Sequence, residues 1–226
     1  PQSAFPVDPT ATAEFVGGQQ CATCHSDETN AWRGSHHDLA MQAAAPSTVL
    51  GDFGDSEFSY NGVTSLLFRR GTEYWVRTDG PDGELNEYQI THAFGLDPLQ
   101  QYLVELAAGQ VQALSIAWDS RAAEAGGQRW FNLYPDDTVD SSDPLHWTGI
   151  FQSWNSTCAE CHSTNLQKNY SAATNSYRTT FSSVNVDCEA CHGPGSLHIA
   201  DPEQVALNLV RDTEARWLFV DGTAIA

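Results

Sequence analysis

The cysteines of this 226-residue chain all lie in three copies of one short pattern, Cys-x-x-Cys-His. The three copies occupy residues 21–25, 158–162 and 188–192. Two thiols three positions apart can each form a thioether with one vinyl group of the same haem, and the next residue's imidazole then lies beneath the iron. The pattern therefore predicts three covalently attached haem c groups. The predicted attachment residues are Cys21, Cys24, Cys158, Cys161, Cys188 and Cys191, and the predicted proximal iron ligands are His25, His162 and His192.

Three other interpretations of paired cysteines are weaker. Two Cys-x-x-Cys pairs can build a tetrahedral zinc site, but zinc does not need a histidine directly after the second cysteine. A thioredoxin-like redox pair requires a βαβ setting, which is missing around all three motifs. Structural disulfides suit an exported protein, yet they would not place a histidine at the same offset three times.

The net charge limits the classes of partner that the protein can bind. The chain has 29 acidic and 10 basic residues, for a net charge of −19. A nucleic-acid-binding protein needs the opposite sign, so this class is excluded, and a redox partner is expected to present a basic face. No run of about 18 apolar residues is present, so no transmembrane segment is predicted.

The chain divides into four predicted segments: an N-terminal tail (1–18), a haem 1 segment (19–51), a β-rich insert (52–134) and a haem 2/haem 3 segment (135–226). Aromatic and β-branched residues predict short strands, and Gly-rich turns, notably residues 79–83, predict hairpins between them. The expected fold is α+β with much irregular structure, in which short helices and loops surround three haems. The predicted strands are 57–60, 65–70, 73–78, 85–91, 100–106, 111–118, 129–134 and, near the end, 216–220.

Several stretches resemble a known family, the exported multihaem cytochromes c that often carry tetratricopeptide repeats. The similarity covers roughly residues 15–222, and parts of it recur in cytochromes related to hydroxylamine oxidoreductase. It implies haem binding and electron transfer. Relatives commonly continue into a further haem motif and a repeat domain, so this chain is expected to be a short version or a fragment of a longer protein. The matching stretches are residues 32–41, 98–103, 127–131, 143–149, 158–165 and 188–196.

Covalent haem attachment takes place outside the bacterial cytoplasmic membrane, so a periplasmic, cell-surface or extracellular location is expected. The first residues, PQSAFPVDP, are typical of a processed chain from which a signal peptide has been removed.

Five histidines remain as candidates for the distal side of the irons. The resemblance implies that His37, in Trp-x-x-Ser-x-His, ligates a haem other than the one just before it, with His36 as the adjacent alternative. His198 follows a Gly-Pro-Gly turn that could direct it to a neighbouring haem. For the third position we prefer His146, which precedes the second motif, over His92, which ends a predicted strand.

Met41 is the only methionine, so at most one haem could have His/Met ligation, and we expect Met41 to pack in the core instead. The histidines therefore predict mostly bis-histidine, low-spin haems of low potential. Electron transfer through closely spaced haems is the leading interpretation, and self-assembly into a conducting filament is an extension of it. The alternatives are a reductase with one open-site haem and a haem-bearing module that binds a partner through the β-rich insert.

Overall fold

The computed structural model describes residues 12–203 and residue 205, which form two compact units. The first unit contains the described residues up to Asn30 and from Asp187 onward, and Ala31–Val186 form the second. The first eleven residues of the predicted tail and the predicted strand 216–220 lie outside the described residues.

The second unit is built on an antiparallel sheet, to which the described residues supply nine strands. The strands are β1 (Met41–Ala43), β2 (Ser56–Tyr60), β3 (Val63–Arg70), β4 (Glu73–Asp79), β5 (Leu85–Phe94), β6 (Leu99–Glu105), β7 (Val111–Ala113), β8 (Ile116–Asp119) and β9 (Arg129–Asn132). Seven of them follow the order β2-β3-β4-β5-β6-β8-β9, while β1 pairs with β5 and β7 pairs with β6. The chain between the first and second motifs therefore forms a large antiparallel sheet.

Turn chemistry explains the hairpin between β4 and β5. The Gly80 N–H donates to the Glu84 carbonyl at 2.8 Å, and Gly83 has a φ of 79°, a conformation that suits glycine. The predicted strand 111–118 differs, because it is divided into β7 and β8. Both pieces pair with β6, at its C-terminal and N-terminal halves respectively, and the chain adjusts its register at Leu114 and Ser115 between them.

One face of the sheet carries an aromatic core. Phe53 is 3% exposed and its ring meets those of Tyr74, Tyr102 and Trp130 edge to face, at centroid distances of 5.0, 5.2 and 5.4 Å. Edge-to-face contact is a favoured arrangement for aromatic rings. At Gly51, a Cβ would lie 2.5 Å from the Trp130 ring, so the close approach of the backbone to this core requires glycine.

The opposite face of the sheet packs against the second motif. Met41, Phe94 and Leu103 lie in one buried apolar cluster with Ala159, which is the residue after Cys158. The sheet is therefore the support on which the second Cys-x-x-Cys-His sequence is held.

The helices are few and short, and in the described part of the chain none is long and apolar enough to cross a membrane. The three motifs all coincide with helical turns, which agrees with the expected mixture of sheet, short helices and irregular chain. The α-helices are α1 (Gly18–Cys21), α2 (Ser26–Trp32), α3 (Ala159–His162), α4 (Cys188–His192) and α5 (Ser196–Ala200). Short 3₁₀ turns lie at Ala107–Gly109, Ala123–Ala125 and Ile150–Gln152, and a π-helical turn, Trp154–Cys158, precedes α3.

Candidate haem-attachment sites

The first unit brings the first and third motifs together. Cys21 ends α1 and Cys188 begins α4, and the two thiols are neighbours, each of which affects the pKa of the other. Burial, as the largest cause, and the neighbouring Cys188 and Glu189 together raise the pKa of Cys21 to about 11. Burial also raises the pKa of Cys188, with a contribution from Asp187. Two residues that are 167 positions apart in sequence thus place two attachment sulfurs side by side.

A buried acidic pair holds these two motifs in position. Glu189, between the cysteines of the third motif, is 2% exposed, and its carboxylate accepts hydrogen bonds from the N–H groups of Val16, Gly17 and Gly195 at 2.7–3.1 Å. Asp187 caps α4 by accepting from the Glu189 N–H at 2.9 Å and also accepts from the Gly18 N–H at 3.2 Å. Part of the predicted N-terminal tail is therefore hydrogen-bonded to the third motif.

His198 lies opposite His25 in the first unit. Their ring centroids are 6.2 Å apart and the ring planes differ by 28°. Two imidazole nitrogens that share one metal at about 2 Å each are about 4 Å apart, so their ring centres are separated by about 6 Å. The His198 Nδ1 is hydrogen-bonded to the Val205 carbonyl at 2.5 Å, an arrangement that leaves Nε2 for a metal.

His162, of the second motif, has the environment of a metal-binding imidazole. Its Nδ1 is 2.9 Å from the Ala40 carbonyl oxygen, which fixes the ring and leaves Nε2 free to ligate. The Phe94 ring packs edge to face against it at 5.3 Å. Met41 is 1% exposed within the apolar cluster next to this motif, so it packs in the core as the sequence led us to expect.

A β-bulge directs His92 toward the same face as the second motif. Ile90 pairs with Val104 and His92 pairs with Leu103, with a register shift between them. In a regular strand Ile90 and His92 would share a face, but the bulge puts His92 opposite Leu103. Leu103 belongs to the apolar cluster that also holds Ala159, so His92 lies on that face of the sheet. Burial lowers the pKa of His92, which favours the neutral form that binds metals, while Glu105 acts in the opposite direction.

His146 occupies a different environment from His92. It is 4% exposed, its Nδ1 is 2.8 Å from the Thr148 hydroxyl, and its Nε2 is 3.1 Å from the Asp79 carboxylate. Burial raises the pKa of Asp79, but hydrogen bonding and charge from His146 outweigh it, so the pKa is lowered overall. Both ring nitrogens thus have protein partners, and this arrangement favours a structural role that joins the 135–149 loop to β4.

His36 and His37 are both exposed, in the loop after α2. The loop is held by the Trp32 indole N–H, which donates to the Val186 carbonyl at 2.9 Å, and by the Val186 N–H, which donates to the His37 carbonyl at 3.2 Å. These bonds fix the backbone of the predicted Trp-x-x-Ser-x-His motif. The ligand role of His37, with His36 as its alternative, stays a prediction.

The six thiols and their histidines fit haem c better than the competing chemistries. All six cysteines are free thiols, and in each motif the second is exposed while the first is partly buried. Within the residues that the structure describes, no three His, Cys, Asp or Glu side chains meet as a site for a metal ion. A bis-histidine haem iron needs only two protein ligands, so it does not require such a three-residue cluster.

The chain is similar to known multihaem cytochromes. The family model of cytochrome c554 and c-prime matches residues 20–50 and 140–193, which contain all three motifs. No curated protein matches the chain. One similar solved structure is the outer cell wall cytochrome OcwA, at 22% identity and a TM-score of 0.56, over 93% of this chain and 40% of that chain. Another is an undecahaem cytochrome from the S-layer of Carboxydothermus ferrireducens, at 20% identity and a TM-score of 0.48, over 88% of this chain and 23% of that chain.

The chain therefore spans less than half the length of either solved protein. The likeness to OcwA shows a common fold over most of this chain. The two segments matched by the family model include every Cys-x-x-Cys-His sequence.

Proposed function

We propose that this protein is a three-haem cytochrome c that carries electrons between closely spaced haems. The two cysteines of each motif would attach one haem, and His25, His162 and His192 would ligate the irons on the proximal side. When bound, each haem supplies a one-electron ferric/ferrous couple. The protein's own contribution is to fix the spacing, the axial ligands and the burial of these groups.

The observation that carries this proposal is the contact between Cys21 and Cys188. Each sulfur would be bonded to the edge of a different haem, so neighbouring sulfurs bring two porphyrin edges together. An electron on one haem would then have a short path to the other. A site for substrate turnover would not require this arrangement.

The distal ligands follow from the geometry of each unit. In the first unit we propose His198 as the ligand opposite His25, because the two rings are 6.2 Å apart. In the second unit we propose His92 opposite His162, because the bulge in β5 puts His92 on the face that packs against the second motif. His146 is less suitable, since its two nitrogens are already hydrogen-bonded.

Substituting His92 and His146 separately distinguishes an iron ligand from a structural residue. We expect His92→Ala to remove a distal ligand and convert one of three haems to a high-spin form, as measured by electron paramagnetic resonance of the ferric protein. His146→Ala is expected to keep all haems low-spin while it lowers the unfolding midpoint, because Asp79 loses its buried partner. The reverse pattern would assign the iron to His146.

The electron-transfer function is tested with the haem-loaded protein. We expect the intact mass to exceed that of the polypeptide by three haems and the reduced protein to transfer electrons to a basic c-type cytochrome. Because the chain carries a net charge of −19, the rate constant should fall at least about tenfold as the Debye length shrinks from about 30 Å at 0.01 M to about 3 Å at 1 M ionic strength. An acidic acceptor serves as the control, and absence of transfer to either acceptor contradicts the proposal.

The covalent attachment chemistry supports a periplasmic, cell-surface or extracellular location. The likeness to OcwA, an outer cell wall cytochrome, is compatible with such a location. Self-assembly into a filament is a further part of the proposal. Electron micrographs of the purified protein distinguish filaments from monomers.

A further inference from the structure

The buried carboxylates of Asp187 and Glu189 lie in the first unit, near the sulfurs of Cys21 and Cys188. They are 5% and 2% exposed. The Glu189 oxygens receive hydrogen bonds from three backbone N–H groups. The two carboxylates place their negative charges in a part of the molecule where solvent screens them weakly.

We propose that Asp187 and Glu189 lower the reduction potentials of the two haems attached at Cys21 and Cys188. The inference rests on the proposed function, because it requires haem at both motifs. These carboxylates would affect the redox centres through their charge and not as iron ligands. The same two side chains hold α1 and α4 together, so structure and redox tuning are combined in one pair.

The physical reason is the charge change on reduction. A ferric iron carries one more positive charge than a ferrous iron, so a nearby fixed negative charge stabilises the ferric state and lowers the potential. The pKa values of the two thiols show the effect of these negative charges. After burial and the mutual effect of the thiols, Glu189 raises the pKa of Cys21, and Asp187 contributes to the raised pKa of Cys188. Backbone N–H dipoles reduce the field of Glu189 but leave its net charge in place.

The second motif offers a matched control. Glu160 also lies between the two cysteines of its motif, but its side chain is 71% exposed and its carboxylate is 3.8 Å from the Lys168 ammonium. Solvent and this partner screen the charge, so Glu160→Gln should leave the potentials unchanged. Comparing Glu189→Gln with Glu160→Gln separates the effect of a buried charge within a motif on the potentials from that of an exposed one.

The experiment is a spectroelectrochemical titration of the haem-loaded full chain. Glu189→Gln and Asp187→Asn each remove one charge with little change in shape, and asparagine is also a good N-cap. In each variant we expect two of the three redox components to show about a tenfold higher ferrous-to-ferric ratio at a fixed potential, which corresponds to about 59 mV for a one-electron couple. The third component should not move.

Three outcomes would overturn the inference. The first is a loaded variant with a lower unfolding midpoint and unchanged potentials, which makes the pair structural only. The second is an equal shift in Glu160→Gln. The third is failure of both variants to retain haem at these two motifs, which also makes the role structural. Haem counts separate these results from a failure of the proposed function, because that function requires three haems in the unsubstituted protein.

Discussion

A His198→Ala variant is expected to change one of three haems from low-spin to high-spin in the ferric protein. The ring centroids of His198 and His25 are 6.2 Å apart, a separation that fits two imidazoles sharing one iron. The hydrogen bond from His198 Nδ1 to the Val205 carbonyl orients the ring and leaves Nε2 available to ligate. Alanine at this position would remove the proposed ligand and keep the proposed covalent attachment at Cys21 and Cys24. The measurement is electron paramagnetic resonance together with the absorption spectrum.

The control for this prediction lies in the same helix. Ile199 is 47% exposed, so Ile199→Ala should keep all haems low-spin. Added imidazole should restore the low-spin signal of His198→Ala, because a free ligand can enter the space that the side chain occupied. A His198→Ala spectrum identical to that of the parent protein would show that another group ligates this iron.

A Phe53→Ala variant is expected to lower the free energy of unfolding of the second unit by about 3–5 kcal/mol. Phe53 is 3% exposed and its ring makes edge-to-face contacts with Tyr74, Tyr102 and Trp130. Truncation would remove these contacts and leave a cavity that three large rings cannot easily fill. The urea midpoint measured by circular dichroism should fall by about 1–2.5 M, given a slope of about 2–3 kcal/mol/M.

The matched control is Phe151→Ala, because Phe151 is 61% exposed. A truncation at the surface is expected to change the stability by no more than about 0.5 kcal/mol. Equal midpoints for the two variants would mean that the aromatic cluster does not carry the stability of the sheet. The haem count of Phe53→Ala should stay at the parent value under native conditions, since Phe53 packs on the face opposite the second motif.

The amino-acid sequence alone predicts the attachment chemistry and much of the sheet. Haem attachment depends on a five-residue pattern, so local spacing contains all the information needed. The strands β3, β4 and β5 were likewise predictable, because aromatic and β-branched residues alternate between turns with strong local preferences. The break between β7 and β8 at Leu114 and Ser115 was not predictable, since it depends on how the two strands pair with β6.

The tertiary structure decides which groups lie next to the three motifs. Alternation along β5 would give His92 the same face as Ile90, and only the bulge in the pairing with β6 reverses it. The sequence alone favoured His146 because it is close to the second motif along the chain, yet its nitrogens bond to Asp79 and Thr148. Contacts such as these join residues far apart in sequence.

Contacts between residues far apart in sequence also make the first and third motifs neighbours. The three Cys-x-x-Cys-His sequences predict haem c by themselves, whereas the contact between Cys21 and Cys188 and the burial of Glu189 beside them exist only after folding. A local pattern predicts what is attached at each motif. The packing of α1 against α4 determines which two attachment sites are neighbours and which charges surround them.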